Sequence, residues 1–247
     1  MTFERDVAAG IHRVADGPVN WYLVEDEDGI TIVDAGLPAS WNSLGWALAE
    51  IGRPPSDLRA LVLTHAHFDH VGFAERARRE LGLPVYLHPD DRALSRHPLR
   101  YDHERHPLLY LWKPGPATLF GAMVARGAFF VREVAEVVDL SPNGGLDVPG
   151  RPRVLHTPGH TLGHVSLHFA DRDAVIAGDA LVTLDPYTAE TGPRLVARAA
   201  TADSDRALAS LDAIEECGAS VVLPGHGDPW TQGAAAAVQE ARRAGAA

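Results

Sequence analysis

Three scarcities frame this 247-residue chain. It has one cysteine, Cys217, so an internal disulfide is impossible and its thiol content does not point to an oxidising compartment. Lys113 is the sole lysine, and 22 basic side chains face 33 acidic ones, for a net charge of −11. A surface of that sign repels phosphate backbones and anionic lipid, which sets nucleic-acid and membrane-surface partners aside. No stretch approaches the ~20 apolar residues of a membrane span. The N-terminus, MTFERDVAAG, carries charge where a secretory signal needs an apolar run. The expected setting is cytoplasmic, with a small-molecule substrate as partner.

A core is not scarce. Hydrophobic residues make up 46% and charged residues 22%, ordinary for a globular protein of this length. No Gly-, Ser- or Pro-rich linker divides the chain, so residues 1–247 read as one domain. NWYLVED and GITIVDAG form a strand pair about a DEDG turn, and 40–51 reads as a helix with Leu44, Leu48 and Ile51 on one face. RALVLTH is a buried strand, followed by a helix over about 73–81 and the strand PVYLH. AEVVDL, RPRVLHT, HVSLHFA and DAVIAGD read as consecutive strands. Asp203 caps a helix carrying Ala207, Leu208, Leu211 and Ile214, SVVLPGHG is a last strand, and an Ala-rich helix closes the chain. Strand runs with helices in both halves predict a layered α/β sandwich.

Against this background LVLTHAHFDHVG, residues 61–72, stands out. Four imidazole and carboxylate groups so close together cannot all find buried hydrogen-bond partners cheaply, whereas metal ions accept both ligand types. His65 and His67, two apart on extended backbone, project to one side, while Asp69 and His70 aim at a neighbouring point as the chain turns. One tetrahedral ion would use only part of the set, so two adjacent ions suit it better. Three further ligand-type residues recur in one context, an apolar strand ending in glycine: His160 in HTPGH, Asp179 in VIAGD and His226 in VVLPGH.

The combined pattern, HxHxDH followed by separate His, Asp and His, resembles the metallo-β-lactamase-fold superfamily. The resemblance spans about residues 20–230 and implies a four-layer αββα sandwich with two metals at one edge. It implies that His65, His67 and His160 hold the first metal, that Asp69, His70 and His226 hold the second, and that Asp179 bridges them. Zinc is the expected ion, with iron or manganese as alternatives. Two divalent ions bring a bound water's pKa towards neutrality, so a bridging hydroxide becomes available at pH 7. Asp69 is the candidate to pass that proton to the leaving group. Asp34, in IVDAG, resembles the family position that braces the metal loop.

The remaining histidines read differently. His164 either supports His160 or simply ends a strand, and His156 and His168 fall on strands as structural residues. His97, His103 and His106 lie in SRHPLRYDHERHP, where prolines and charges favour a solvated loop. His12 and His88 carry no motif, and Cys217 reads as a structural thiol on a helix.

Comparison with subfamilies removes substrates more than it selects one. Asp179 occupies the bridging context where several true lactamases carry a cysteine on the second metal, and the chain lacks their export signal. Only 21 residues follow His226, too few for the helical glutathione-binding domain of glyoxalase II. The position where bacterial lactonases carry a tyrosine is Val182, with Tyr187 nearby as a conceivable substitute. A long segment, about 89–132, adds Tyr101, Leu108, Leu109, Tyr110, Leu111, Trp112, Leu119, Phe120, Met123, Phe129 and Phe130. It reads as a helical cap forming an apolar pocket over the metals. The expected activity is hydrolysis of a small, fairly apolar ester, lactone or thioester. The alternatives are a mononuclear iron enzyme resembling persulfide dioxygenases, a phosphodiesterase, and a non-catalytic metal-binding module.

Overall fold

Side chains alternating in direction along the strands give each of two sheets two faces, and the central strands are buried on both. The structure, a computed structural model, describes residues 1–110 and 112–247. The first sheet has seven strands in sequential order: β1 (Thr2–Ala8), β2 (Ile11–Asp16), β3 (Val19–Asp26), β4 (Gly29–Val33), β5 (Leu58–Val62), β6 (Val85–Leu87) and β7 (Val138–Asp139). β1 to β4 pair antiparallel, and β4 to β7 pair parallel. The second sheet runs in the order β13 (Val221–Pro224), β10 (Ala174–Gly178), β9 (Val165–Phe169) and β8 (Arg153–His156). A separate hairpin joins β11 (Val182–Leu184) to β12 (Thr191–Arg194).

The period of two decides which layer each side chain enters. Tyr22, Val24, Val33 and Val62 pack between the sheets against Val165, Leu167, Ile176 and Leu223. Their neighbours Trp21, Leu23, Ile32 and Leu61 face outward under α1 (Trp41–Ile51) and α2 (Ala74–Leu81). On the far side, Val175, Ala177 and Val222 meet Leu211 and Ile214 of α5 (Ser204–Glu216) and Val238 of α6 (Ala234–Ala244). The layers are therefore α, β, β, α, as the family resemblance implies. Asp203 caps α5, its side chain accepting from the Arg206 amide.

Two parts of the fold carry no clear signal in the sequence. β1 and β2 are absent from the sequence reading: no residue of TFERDVA is buried and its register shifts between Glu4 and Ala8, while the buried IHRVAD carries His12, Arg13 and Asp16 among its apolar residues. AEVVDL gives only the two-residue edge strand β7. Between β6 and β7, the 89–132 segment contributes α3 (Arg92–Arg96) and α4 (Pro114–Ala125). Arg126 pairs with Asp16, and the Glu104 carboxylate accepts from the Ser204 amide and hydroxyl, both at 2.8 Å, fastening this segment to both halves. No helix among the described residues is long and apolar enough to cross a membrane.

The loop after β5 turns against the loop after β4 at a very close approach. The Gly72 amide donates to the Gly36 carbonyl at 2.8 Å, and a Cβ on Gly72 would lie 2.3 Å from that oxygen. The obstacle is rigid backbone, so Gly72→Ala is expected to destabilise the fold by about 1–3 kcal/mol or more, read by denaturant unfolding. Unfolding at the wild-type midpoint would show that the two loops can separate without cost.

Candidate metal centre

Strand ends deliver every residue of the centre. His65, His67, Asp69 and His70 occupy the irregular turn after β5, His160 follows β8, Asp179 follows β10 and His226 follows β13. All seven side chains are buried. Ligand-type atoms cluster in three groups within 4.8 Å: His65 with His67 and His160, Asp69 with His70 and His226, and His65 with His70 and Asp179. Asp179 lies among the others, its Oδ2 3.1 Å from His226 Nε2 and 3.4 Å from His160 Nε2, its Oδ1 3.5 Å from His70 Nε2.

One ring nitrogen of most of these histidines is tied to the protein, which aims the other. The His226 Nδ1–H donates to the Pro18 carbonyl at 2.6 Å, and the His70 Nδ1–H to Asp34 Oδ2 at 2.9 Å. Asp34 also accepts from the Thr64 amide at 2.8 Å and the Thr64 hydroxyl at 2.9 Å, and that hydroxyl faces His65 Nδ1 at 3.0 Å. Asp34 does this from left-handed backbone, φ 61°, a conformation costly for a non-glycine residue and common where geometry serves a site. One untied atom of each residue lies within reach of its neighbours'. His65 Nε2, His67 Nε2, His70 Nε2, both nitrogens of His160 and Asp179 Oδ1 are buried with no hydrogen-bond partner. Native interiors rarely leave such atoms unpaired, and an imidazole whose second nitrogen is oriented by an outer partner is the usual form of a metal ligand. The donor set, nitrogen with carboxylate oxygen, fits a borderline divalent ion.

Electrostatics divides the cluster. Burial holds His65 and His67 well below the usual imidazole range and pushes His160 down to about 4, so all three are neutral lone-pair donors. Burial opposes charge on His70 and His226 as well, but the carboxylates around them prevail. Asp179, Asp34 and Asp69 raise His70 to about 10, and Asp179 and Asp69 raise His226. Burial raises Asp69 against the pull of His70 and His226; Asp179 is instead held well below the carboxylate range because His226 and His70 outweigh its desolvation.

His164 serves Asp179 rather than His160. Its Nε2 accepts from the Asp179 amide at 3.0 Å, which leaves Nδ1 to donate to Thr157 Oγ1 at 2.8 Å. His12 is buried between Asp6 and Glu25, and His156 and His168 lie on β8 and β9. His97, His103 and His106 are exposed and join no metal-type cluster among the described residues. His88, Asp90 and His156 also come close, but the two imidazoles stack at 4.6 Å and 12°. Lone pairs lying in parallel ring planes do not converge on one ion. Cys217 is half-buried at the end of α5, away from the centre.

A chamber opens beside His67, Asp69, His160, Asp179 and His226, walled by Tyr101, Phe120, Met123, Tyr187 and Val196. Among the described residues of the apolar set in 89–132, only these three, Tyr101, Phe120 and Met123, line it. Leu108, Leu109, Trp112, Phe129 and Phe130 face solvent, Trp112 at 76% exposure, and Leu111 lies outside the described residues. The Tyr101 and Tyr187 hydroxyls hydrogen-bond at 2.8 Å, and the Tyr101 ring packs 4.6 Å from His67. Sequence spacing could not pair two tyrosines 86 positions apart. Nor did it mark Asp91, which lies behind the His65 and His160 loops and belongs to no motif.

The Metallo-beta-lactamase superfamily model matches residues 14–226. An uncharacterised Mycobacterium leprae protein, ML0493, is 35% identical over 221 residues, covering 87% of this chain and 89% of its own. YflN of Bacillus subtilis, named a probable metallo-hydrolase, is 25% identical over 242 residues, covering 92% and 87%. Among solved structures, the metallo-beta-lactamase family protein TTHA1429 from Thermus thermophilus has a TM-score of 0.68 at 26% identity, covering 94% of this chain and 78% of its own. TTHA1623, solved in a di-iron-bound form, has a TM-score of 0.63 at 28% identity, covering 89% and 93%.

Close packing at the β13 turn gives a direct test of the convergence. A Cβ on Gly225 would lie 2.0 Å from Asp179 Oδ1 and 2.8 Å from His70 Cε1. Gly225→Ala is expected to lower bound metal by at least one equivalent, measured by elemental analysis, whereas Gly144→Ala, with open space around it, leaves the content unchanged. Equal metal content in both variants would place Asp179 and His70 outside the ion-binding set.

Proposed function

Because the chain belongs to the metallo-beta-lactamase superfamily, we propose that it is a dinuclear metal-dependent hydrolase acting on a small, fairly apolar ester, lactone or thioester. The observation that carries this reading is the convergence of unpartnered buried atoms, one each from His65, His67, His70, His160 and Asp179. In this reading His65, His67 and His160 hold one ion, Asp69, His70 and His226 the other, and Asp179 lies between. Divalent ions bound there would polarise a carbonyl oxygen and acidify water enough to supply a nucleophile near neutral pH. Zinc suits the donor set, and the di-iron form of TTHA1623 keeps iron beside it as a candidate. Both ligand sets are complete, which favours two ions over the single iron of a dioxygenase-type site.

The chain's own residues supply the rest. Asp69, its Oδ2 3.5 Å from His226 Nε2, lines the chamber, and burial raises its proton affinity. It is placed to take a proton from the attacking water and return it to the departing oxygen or sulfur. Tyr101 and Tyr187 are the only polar side chains among the chamber-lining residues apart from the ligand-type ones. Burial pushes both phenols upward, so they stay neutral and one hydroxyl proton remains for a substrate oxygen. Phe120, Met123 and Val196 favour an apolar group beside it, and the segment bearing Tyr101, Phe120 and Met123 acts as the cap. Net charge −11 disfavours polyanionic phosphodiesters and oligonucleotides.

The purified protein is expected to carry close to two equivalents of metal and to lose ester, lactone or thioester hydrolysis on chelation. Phe120→Ala should raise KM for the carbonyl substrate about tenfold, the worth of a partly buried ring, with metal content retained, and exposed Trp112→Ala should change neither. Preferred turnover of a phosphodiester, indifferent to Phe120→Ala, would overturn the substrate assignment. One equivalent of iron with oxygen uptake on a persulfide would overturn the reaction class.

A further inference from the structure

Asp91 is 1% exposed, and no cation lies within ion-pairing distance of it among the described residues. A buried carboxylate without a counter-ion is expensive, and its retention calls for a reason. Its Oδ2 accepts from the Ala66 amide at 3.0 Å and the Thr161 hydroxyl at 2.7 Å, and its Oδ1 accepts from the Gly163 amide at 2.8 Å. Ala66 sits between His65 and His67, and Thr161 follows His160. One carboxylate therefore ties together the two loops that bear the first cluster of histidines. The contact is close enough to exclude a side chain at Gly163, where a Cβ would lie 2.7 Å from the Asp91 amide nitrogen and 2.8 Å from Oδ1.

We infer that Asp91 is a positioning residue that sets the affinity of the first metal position, held by His65, His67 and His160, separately from the second. The inference rests on the two-position reading given above. Its ground is a division of labour between two buried aspartates that share no partner. Asp34 grips His70 of the second set directly and reaches the first set only through Thr64, whose hydroxyl faces His65, while Asp91 grips Ala66, Thr161 and Gly163 and no residue of the second set. Donors from two chain segments converge on both oxygens of Asp91, and only a carboxylate offers acceptors alone on both sides. An asparagine there would turn its NH2 either toward the Gly163 amide or toward the Ala66 and Thr161 donors. Loosening that tie lets the His160 loop drift from His65 and His67, because His160 has no hydrogen bond of its own to fix its ring.

The test titrates the metal-free full chain with Co2+ and resolves two stepwise dissociation constants by visible absorption. His160→Ala and His226→Ala identify the steps, each removing one. Asp91→Asn is expected to weaken the His160-dependent step by about 10- to 100-fold, the range for outer partners of metal ligands. The His226-dependent step should move by less than about threefold, a selectivity that general destabilisation does not produce. Thr161→Val, which removes one donor at nearly constant volume, should weaken the same step by about fivefold, the worth of one hydrogen bond. It decides the matter alone if Asp91→Asn does not fold. An unchanged His160-dependent step, or equal weakening of both steps, overturns the inference. Loss of the same step in both histidine variants overturns the two-position reading itself, and that failure shows before Asp91 is touched.

Discussion

Lone pairs without partners are the constraint on which the rest of this structure depends. Buried atoms of five residues, His65, His67, His70, His160 and Asp179, have no hydrogen-bond partner in the protein. At about 1–3 kcal/mol for each buried unsatisfied group, their combined cost is of the order of a domain's whole net stability, about 5–15 kcal/mol. Such a set suits a place where an external Lewis acid can complete it, the role proposed here for a metal ion. Much of the surrounding architecture keeps those atoms aimed at one place. Asp34 and the Pro18 carbonyl orient His70 and His226 from behind, and His164 holds the Asp179 amide. Arg13 and Asn20 fix the His226 turn through the Gly227 carbonyl, at 2.8 and 2.7 Å.

The residues of the candidate centre were legible in the sequence because metal chemistry narrows residue type severely. His and Asp at the ends of apolar strands have few other uses, so type and spacing named all seven of the residues that the fold brings together. A layered α/β sandwich was legible from strand runs with helices in both halves, and the αββα order from the family resemblance. Val24 and Leu23 must enter different layers once the strand period is two, and β3, β4 and β10 announce themselves by continuous burial. What stayed hidden depends on contacts between distant parts of the chain. Asp91 shows no sequence signal because its meaning lies in donors 25 to 72 positions away. Nothing local pairs Tyr101 with Tyr187, and Trp112 looks like a pocket residue until the chain's path turns it to solvent. β1 escaped notice because an exposed, interrupted edge strand lacks the alternation by which strands are recognised.

The 89–132 segment joins these two themes. It begins at the residues that touch the histidine loops from behind and continues into Tyr101, Phe120 and Met123, which wall the chamber in front. Arg126 and Glu104 fasten it to β2 and to the start of α5, so it is held from both halves of the sandwich. The chamber's wall and the tie between the histidine loops thus come from one stretch of chain. Changes there can alter what enters the chamber without altering which residues converge on Asp179.

The central claim is that two ions occupy the convergence point, and anomalous diffraction from crystals of the metal-loaded protein measures this directly. The account predicts two peaks at the absorption edge of the bound metal, one beside His65, His67 and His160, the other beside Asp69, His70 and His226, with Asp179 reaching both. A single peak, with Asp69, His70 and His226 paired only to one another, would contradict it.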